Sequence, residues 1–287
     1  MEEAGGRTRL LPEIEVLRRD LEREVVGRRV KEAEVRPSTN AMKIIRHHGR
    51  RKDFQELLIG ARIDRAGRIG THLILELDNG HALVIHPGDA GQLLKTSASD
   101  GLSPHTHVVI GFTIGGQLRY IDPQKSGEVY VLPLEGIKTV GCNGAIDPFE
   151  SPLTWQRFSL LLSQREQRLK DLLMDESFIC GLGDIYSDEI LWAAGLRHGH
   201  LSNKLSSQDV RRLYRGLSET LQEALKARGT SSTGGYSWVD LHGVPGTYQL
   251  VLKVYERADE PCRRCRHLVV REKIDGGYAY FCPQCQA

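Results

Sequence analysis

Hydrophobic positions change their period twice along the chain, and each change marks a new kind of element. From Pro12 to about Val30 apolar residues recur at helical spacing (Ile14, Leu17, Leu21, Val25) between charged ones, and Gly27 closes the pattern as a C-cap, which predicts one amphipathic helix. From Ala33 to about Leu132 the period shortens. Runs such as HLILEL, HALVIHP, HVVIGFTI, QLRYID and EVYVLP carry β-formers and are separated by DNG, SASDG and GG turns. Short strands at this spacing predict a β-sandwich or barrel in preference to βαβ units. The stretch CNGAIDPFESP is the best linker in the chain, and after it the helical period returns. LTWQRFSLLLSQ, REQRLKDLLMD, SDEILWAAGL and SSQDVRRLYRGLSETLQEALKAR read as four helices, the last opened by a serine-rich N-cap. The loop GTSSTGGYSWVDLHGVPGTYQ then leads to a final segment of about thirty residues. The expected class is α+β and multidomain.

Composition narrows the setting. The chain has 287 residues, of which 40% are hydrophobic and 26% charged, enough material for two domains and a small appended module. No apolar run approaches the length of a membrane span, and MEEAGGRTRLL has neither an apolar h-region nor transit-peptide character, so no targeting segment is expected and the default location is the cytoplasm. A net charge of +2 neither requires nor excludes nucleic acid. The densest basic run, Lys43, Arg46, Arg50, Arg51 and Lys52 with His47 and His48 between them, fits a solvated face or a phosphate-contacting patch equally well.

Six cysteines are too few for a disulfide scaffold in a chain of this length. Cys262 and Cys265, then Cys282 and Cys285, make two CxxC knuckles with the spacing of a Cys₄ zinc site. Four thiolates complete the tetrahedron, which makes the expected single Zn²⁺ structural, and the metal supplies much of the folding free energy of so small a module. Cys142 and Cys180 have no such partners and read as buried thiols. Between two apolar helices lies the run FICGLGDIYSDE. Gly181 and Gly183 permit a tight turn and let another group approach the helix start that follows, as phosphate sites do. A plain helix connection explains the glycines as well, and Asp184 opposes an anion.

In combination these features resemble the Fpg/Nei family of bacterial 8-oxoguanine and oxidised-pyrimidine DNA glycosylases with AP-lyase activity. The resemblance runs in order through LPEIE, VIHPGDAGQLL, HTHVVI, YIDPQKSGE, GLGDIYSDEILWAAGL and CRRC…CPQC. It implies an N-terminal β-sandwich over 1–140 that includes the amphipathic first helix, a helix-two-turns-helix DNA-binding domain over 150–250, and a zinc-bearing ribbon over 254–287. It also implies duplex DNA as the partner of a nucleoid-associated monomer, with no small-molecule cofactor and no membrane.

The departures fall on the family's working positions. The Pro-Glu pair that supplies its nucleophilic amine and proton shuttle corresponds to Arg9 and Leu10. With eight residues before it Arg9 carries no free terminal amine, a guanidinium is no nucleophile, and leucine transfers no proton. The phosphate-gripping lysine corresponds to Thr71, the void-filling methionine to Asp89, and the arginine and phenylalanine that face and wedge the duplex to Gln124 and Ser126. The turn's asparagine corresponds to Asp184, and the ribbon's arginine to Gly277. Retained are Glu13, His105, Lys170, Tyr186, Glu189 and the four paired cysteines. His105, Lys170, Gly181, Gly183, Asp184 and Tyr186 are the positions that imply DNA contact.

Three readings stay open. The chain is a DNA-binding relative without catalysis, or an enzyme with a substitute nucleophile (Lys170 or the Met1 amine, with Glu13 as acid and base), or a protein-interaction scaffold. Against the second, Glu13 on a helix reads first as a solvated or capping carboxylate, His86 and His105 as satisfied strand-end histidines, and MEEAGG as a disordered peptide.

Overall fold

The computed structural model describes residues 10–37, 41–142, 144–149, 153–231 and 237–287. Met1 and Arg9 lie outside the described residues. The described chain divides into two compact units, one from 1–143 with 228–246, the other from 144–227 with 247–287.

The first unit opens with α1, Leu11–Glu24, which buries Leu11, Ile14, Leu17 and Leu21 at helical spacing. Pro12 sits in its first turn, where the missing N–H costs nothing. The helix stops six residues before the expected limit near Val30. Gly27, at φ +82°, reverses the chain, and Val30 already belongs to a strand.

Eight strands follow: β1 (Val30–Val35), β2 (Ile63–Ile69), β3 (His72–Leu77), β4 (His81–His86), β5 (Gln92–Thr96), β6 (Thr106–Phe112), β7 (Gln117–Ile121) and β8 (Glu128–Pro133). They form two antiparallel four-stranded sheets, β1-β6-β7-β5 and β2-β3-β4-β8, the layers of the β-sandwich. Two helices interrupt the region read as strands only: α2 (Ala41–Ile44) and α3 (Arg51–Leu58). The charged i,i+3 and i,i+4 pairs Arg50–Asp53 and Lys52–Glu56 hold α3, and Phe54 and Leu58 are its buried side.

Every edge of the sandwich is partnered, as a sheet must be if it is not to recruit another chain. On β1 the carbonyl of Ala33 accepts from Gln55 Nε2 at 2.7 Å. On β2 the amide of Ile63 donates to Arg28 O at 2.9 Å. On β5 the amide of Lys95 donates to Leu241 O at 2.8 Å. On β8 the amide of Val131 donates to His48 Nε2 at 3.0 Å.

The second unit contains α4 (Trp155–Ser163), α5 (Leu169–Met174), α6 (Gly183–Ala194) and α7 (Ser207–Lys226). Thr154 caps α4, and Ser206 with Asp209 forms a reciprocal capping box on α7. Val210, Leu213, Leu217, Leu221 and Ala224 line one buried stripe of α7. Gly216 lets α7 come close to α6, since a Cβ there would lie 3.0 Å from Ile190 O. The chain ends in the hairpin β9 (Val270–Ile274) and β10 (Gly277–Phe281), flanked by the cysteine pairs.

Candidate metal centre and nucleic-acid interface

The two CxxC turns bring Cys262, Cys265, Cys282 and Cys285 together, with all four Sγ atoms within 4.8 Å of one another. Cys262 Sγ and Cys285 Sγ are 3.9 Å apart, and Cys265 Sγ and Cys282 Sγ 3.4 Å. A regular ZnS₄ tetrahedron with Zn–S bonds near 2.3 Å requires S···S separations of about 3.8 Å. The residues therefore fit one Zn²⁺ with no open position. Burial raises the Cys262 thiol, but the amides of Cys265 and Arg264 and the Trp192 indole outweigh it and bring its pKa down to about 6. Burial and the neighbouring sulfurs push Cys285 up. So many thiolates in one place need a cation to neutralise them, which is the work a structural zinc does. Val254 and Val269 pack around the cluster, and Gln286 ties it to the end of α6 by accepting from Cys282 N at 2.8 Å and donating to Leu196 O at 3.0 Å.

Beside the ribbon, the retained acidic and basic positions are locked into the fold. Lys170 Nζ lies 2.7 Å from Asp188 Oδ1, and both side chains are 1% exposed. Asp188 also accepts from Tyr280 N at 3.0 Å, so the pair joins α5, α6 and β10. Burial, opposed by Lys170, leaves Asp188 with a pKa raised to about 7. Glu189 is buried as well and accepts from the amides of Lys253, Val254 and Tyr255 at 2.9–3.0 Å, fixing the turn that leads into the ribbon. Tyr186 is fully buried with its ring 5.6 Å from that of Tyr248.

The turn before α6 has the geometry of an anion cradle and the charge of its opposite. Gly181 and Gly183 both adopt φ +57°, a conformation that favours glycine, and no side chain caps the amides that begin α6. Asp184, half-buried in that first turn, brings a carboxylate to the place where an anion would sit.

In the first unit, Leu10 is half-buried at the N-cap of α1, where its carbonyl accepts from Ile14 N at 3.1 Å. Glu13 is not a solvated helix carboxylate. It is 3% exposed, and its Oε1 accepts from Thr230 N at 2.6 Å. Gly229 and Thr230 lie against it, anchored further by Arg228, which bridges the Asp20 and Asp240 carboxylates. Thr71 is buried in the turn between β2 and β3. His105 is exposed in the turn before β6 and contributes its carbonyl, which accepts from Asp122 N at 3.0 Å.

The loops that carry Asp89 and, further along, Gln124 and Ser126 share one hydrogen-bond network that the sequence reading missed. Asp122 Oδ1 accepts from the amides of Gln124 and Lys125, and Oδ2 from Gly127 N and the Tyr120 hydroxyl, at 2.9–3.1 Å. Ser126 Oγ accepts from Asp89 N at 2.9 Å and joins the second loop to the first. The Asp-Pro pair at 122–123, a turn signal, was the available clue. The basic run is largely neutralised. Arg46 and His47 both reach Glu128, while Arg50 and Lys52 are paired within α3. Cys180 is buried and Cys142 half-buried.

A β-sandwich, a helical unit with a two-glycine turn, and a four-cysteine ribbon define the class of helix-two-turns-helix proteins with a zinc ribbon. Within that class, the chain belongs to the formamidopyrimidine-DNA glycosylase family. Residues 11–129 match the formamidopyrimidine-DNA glycosylase N-terminal domain, 145–234 its H2TH domain, and 259–287 the zinc finger found in FPG and IleRS. The formamidopyrimidine-DNA glycosylase of Pelotomaculum thermopropionicum is 34% identical over 282 residues, covering 96% of this chain and 98% of the relative. That of Acidothermus cellulolyticus is 36% identical over 278 residues, with 96% of each covered. Among solved structures, Lactococcus lactis Fpg in complex with abasic-site DNA superposes with a TM-score of 0.83 at 27% identity, over 96% of this chain and 99% of that one. MutM (Fpg) from Thermus thermophilus gives 0.82 at 29% identity, over 96% and 98%. Among the described residues, no helix is long and apolar enough to cross a membrane.

Proposed function

We propose that this chain binds duplex DNA as a member of the family but neither excises a damaged base nor cleaves an abasic site. The observation that carries the reading is the pair Arg9-Leu10, which stands where the resemblance puts the nucleophile and the proton shuttle. A guanidinium stays protonated at any physiological pH, and an alkyl side chain moves no proton. The match to the family's N-terminal domain begins at residue 11, just past this pair. The nearby substitutes are engaged elsewhere. Lys170 is buried against Asp188, and Glu13 holds Thr230, so neither is free to approach a sugar carbon.

DNA as the partner is supported by the extent of the likeness to relatives solved as complexes with abasic-site DNA, and by the uncapped amides at the start of α6. Duplex DNA in turn implies a cytoplasmic, nucleoid-associated protein. The expected binding is weak and indifferent to lesions, because Thr71, Asp89, Gln124 and Ser126 replace the side chains that grip a phosphate and fill the space of an extruded base.

The test is borohydride trapping on an abasic duplex, with product gels on 8-oxoguanine and oxidised-pyrimidine duplexes and a salt titration of affinity. No adduct, no product and an affinity that falls with salt are expected. A stoichiometric adduct that disappears when Lys170 is substituted makes the chain an enzyme with a substitute nucleophile. Salt-independent or undetectable DNA binding makes it a protein-interaction scaffold.

A further inference from the structure

One face of α6 is turned to the zinc ribbon. Asp188 on that face accepts from Tyr280 N, and Glu189 accepts from the amides of Val254 and Tyr255. Trp192 follows them at helical spacings of four and three, which puts all three side chains on one side of the helix. It reaches the ligand cluster itself. Its indole Nε1 donates to Cys262 Sγ at 3.4 Å, across 70 residues of sequence. The same sulfur accepts from Arg264 N at 3.4 Å, a bond internal to the first CxxC knuckle. The indole is therefore a donor brought to the sulfur from outside the ribbon. The Arg264 guanidinium carbon lies 4.1 Å from the centre of the Trp192 ring, and the ring packs against Val254, Cys262, Val269 and Cys282.

An indole N–H can only donate, and a sulfur bearing negative charge is a matching acceptor. Four thiolates outweigh the charge of one Zn²⁺, and Cys262 and Cys282 are closed to solvent. Where water cannot solvate the excess charge, N–H groups aimed at sulfur do so. Partners of this kind, outside the ligand set, orient a ligand and tune its bond to the metal. We propose that Trp192 is a positioning residue of the zinc site. Its N–H holds Cys262 Sγ in the ligating orientation and takes up part of its charge, so α6 sets the zinc affinity together with the two knuckles. The proposal rests on the four-cysteine site and not on whether the chain binds DNA.

The test removes the N–H and keeps the ring. Trp192→Phe keeps an aromatic face for Arg264, and β-(3-benzothienyl)alanine at position 192 also keeps the size and shape of the indole, with sulfur in place of the N–H. Zinc affinity of the full chain, read by competition with a chromogenic chelator, should fall about tenfold or more in both. In the full chain loaded with Co²⁺ in place of zinc, the sulfur-to-cobalt charge-transfer absorption should move to longer wavelength in both, because a sulfur that loses a hydrogen bond gives up electron density more readily. Arg264→Ala, which removes the stacked cation and leaves the N–H, should keep that absorption in place. If Trp192 only fills space, the Phe variant loses zinc and the benzothienyl analogue restores it. That restoration, an unmoved absorption, an equal shift in Arg264→Ala, or an undiminished zinc affinity overturns the role of the N–H.

Discussion

The zinc ribbon and the loop held by Asp122 are both fixed by a few side chains converging on one point, yet they relate to sequence in opposite ways. In the ribbon, the residues that build the fold are the residues that bind the ligand, so Cys262, Cys265, Cys282 and Cys285 cannot change without losing both. In the loop the two duties are divided. Asp122 and Tyr120 point inward and hold the backbone, and Ser126 joins it to the neighbouring loop, while Gln124 is exposed at its surface. A loop built this way keeps its shape when its outward residues change. A loop of this kind is anchored independently of what it displays, and fold alone does not settle function.

Removing one cysteine tests the undivided case and carries the largest effect. Cys265→Ser should release the zinc and unfold the hairpin over 259–287, because metal binding in such modules contributes on the order of 10 kcal/mol. Zinc analysis together with limited proteolysis of the C-terminal segment reads the result. Retention of one tightly held zinc by the serine variant removes the four-thiolate site.

In the divided case the anchor should matter far more than the display. Asp122→Ala removes the acceptor of the Gln124, Lys125 and Gly127 amides, the last of them buried, and leaves the Tyr120 hydroxyl with Pro87 O alone, at a cost of about 3 kcal/mol. Gln124→Ala, at an exposed position, should change stability by less than about 0.5 kcal/mol. Urea unfolding of the two variants measures both, and equal losses would erase the distinction between anchor and display.

This division also explains what could be read from sequence. Strong periodicity and cysteine spacing announce themselves locally, so α1, the four helices of the second unit and the ribbon were legible. Helix α3 was missed because its eight residues bury only Phe54 and Leu58 and its charges read as a solvated run. Glu13 looked solvated because its partner, Thr230, lies 217 residues away in a loop whose return to the first unit no local pattern encodes. The same holds for Asp122, whose contacts with Tyr120 and the following amides follow from loop geometry and not from composition.

A smaller effect is expected where a titrating side chain takes the place of a strand. His48 Nε2 accepts the Val131 amide at the edge of β8, which requires that nitrogen to be unprotonated. Burial, aided by His47 and opposed by Asp53, holds the His48 pKa below its ordinary 6.5. The unfolded chain thus binds the proton more readily than the folded one. The stability from this contact is present above pH 6.5 and is lost as pH falls through the folded value. His48→Gln keeps an acceptor without a titration and should flatten that part of the stability profile, a change of about 1 kcal/mol. An unaltered slope below about pH 6.5 in the Gln variant would show that the edge contact does not titrate.

The finest test of shape against chemistry lies at the start of α6, where a helix terminus and a carboxylate have opposite preferences for an anion. The glycines at 181 and 183 and the uncapped amides suit a phosphate, whereas Asp184 repels one while stabilising the helix through its dipole. Replacing Asp184 by Asn should therefore move two quantities in opposite directions. Stability should fall by roughly 0.3–1 kcal/mol with the loss of a favourable charge at the N-terminus. Affinity for an intact duplex should rise by about 1 kcal/mol, near fivefold, as a neutral side chain removes the repulsion and offers a donor. Urea unfolding and a fluorescence-anisotropy titration at two salt concentrations separate these effects, and the gain should be larger at the lower salt. If the Asn variant loses stability without gaining affinity, the turn is a helix connection alone and takes no part in binding phosphate.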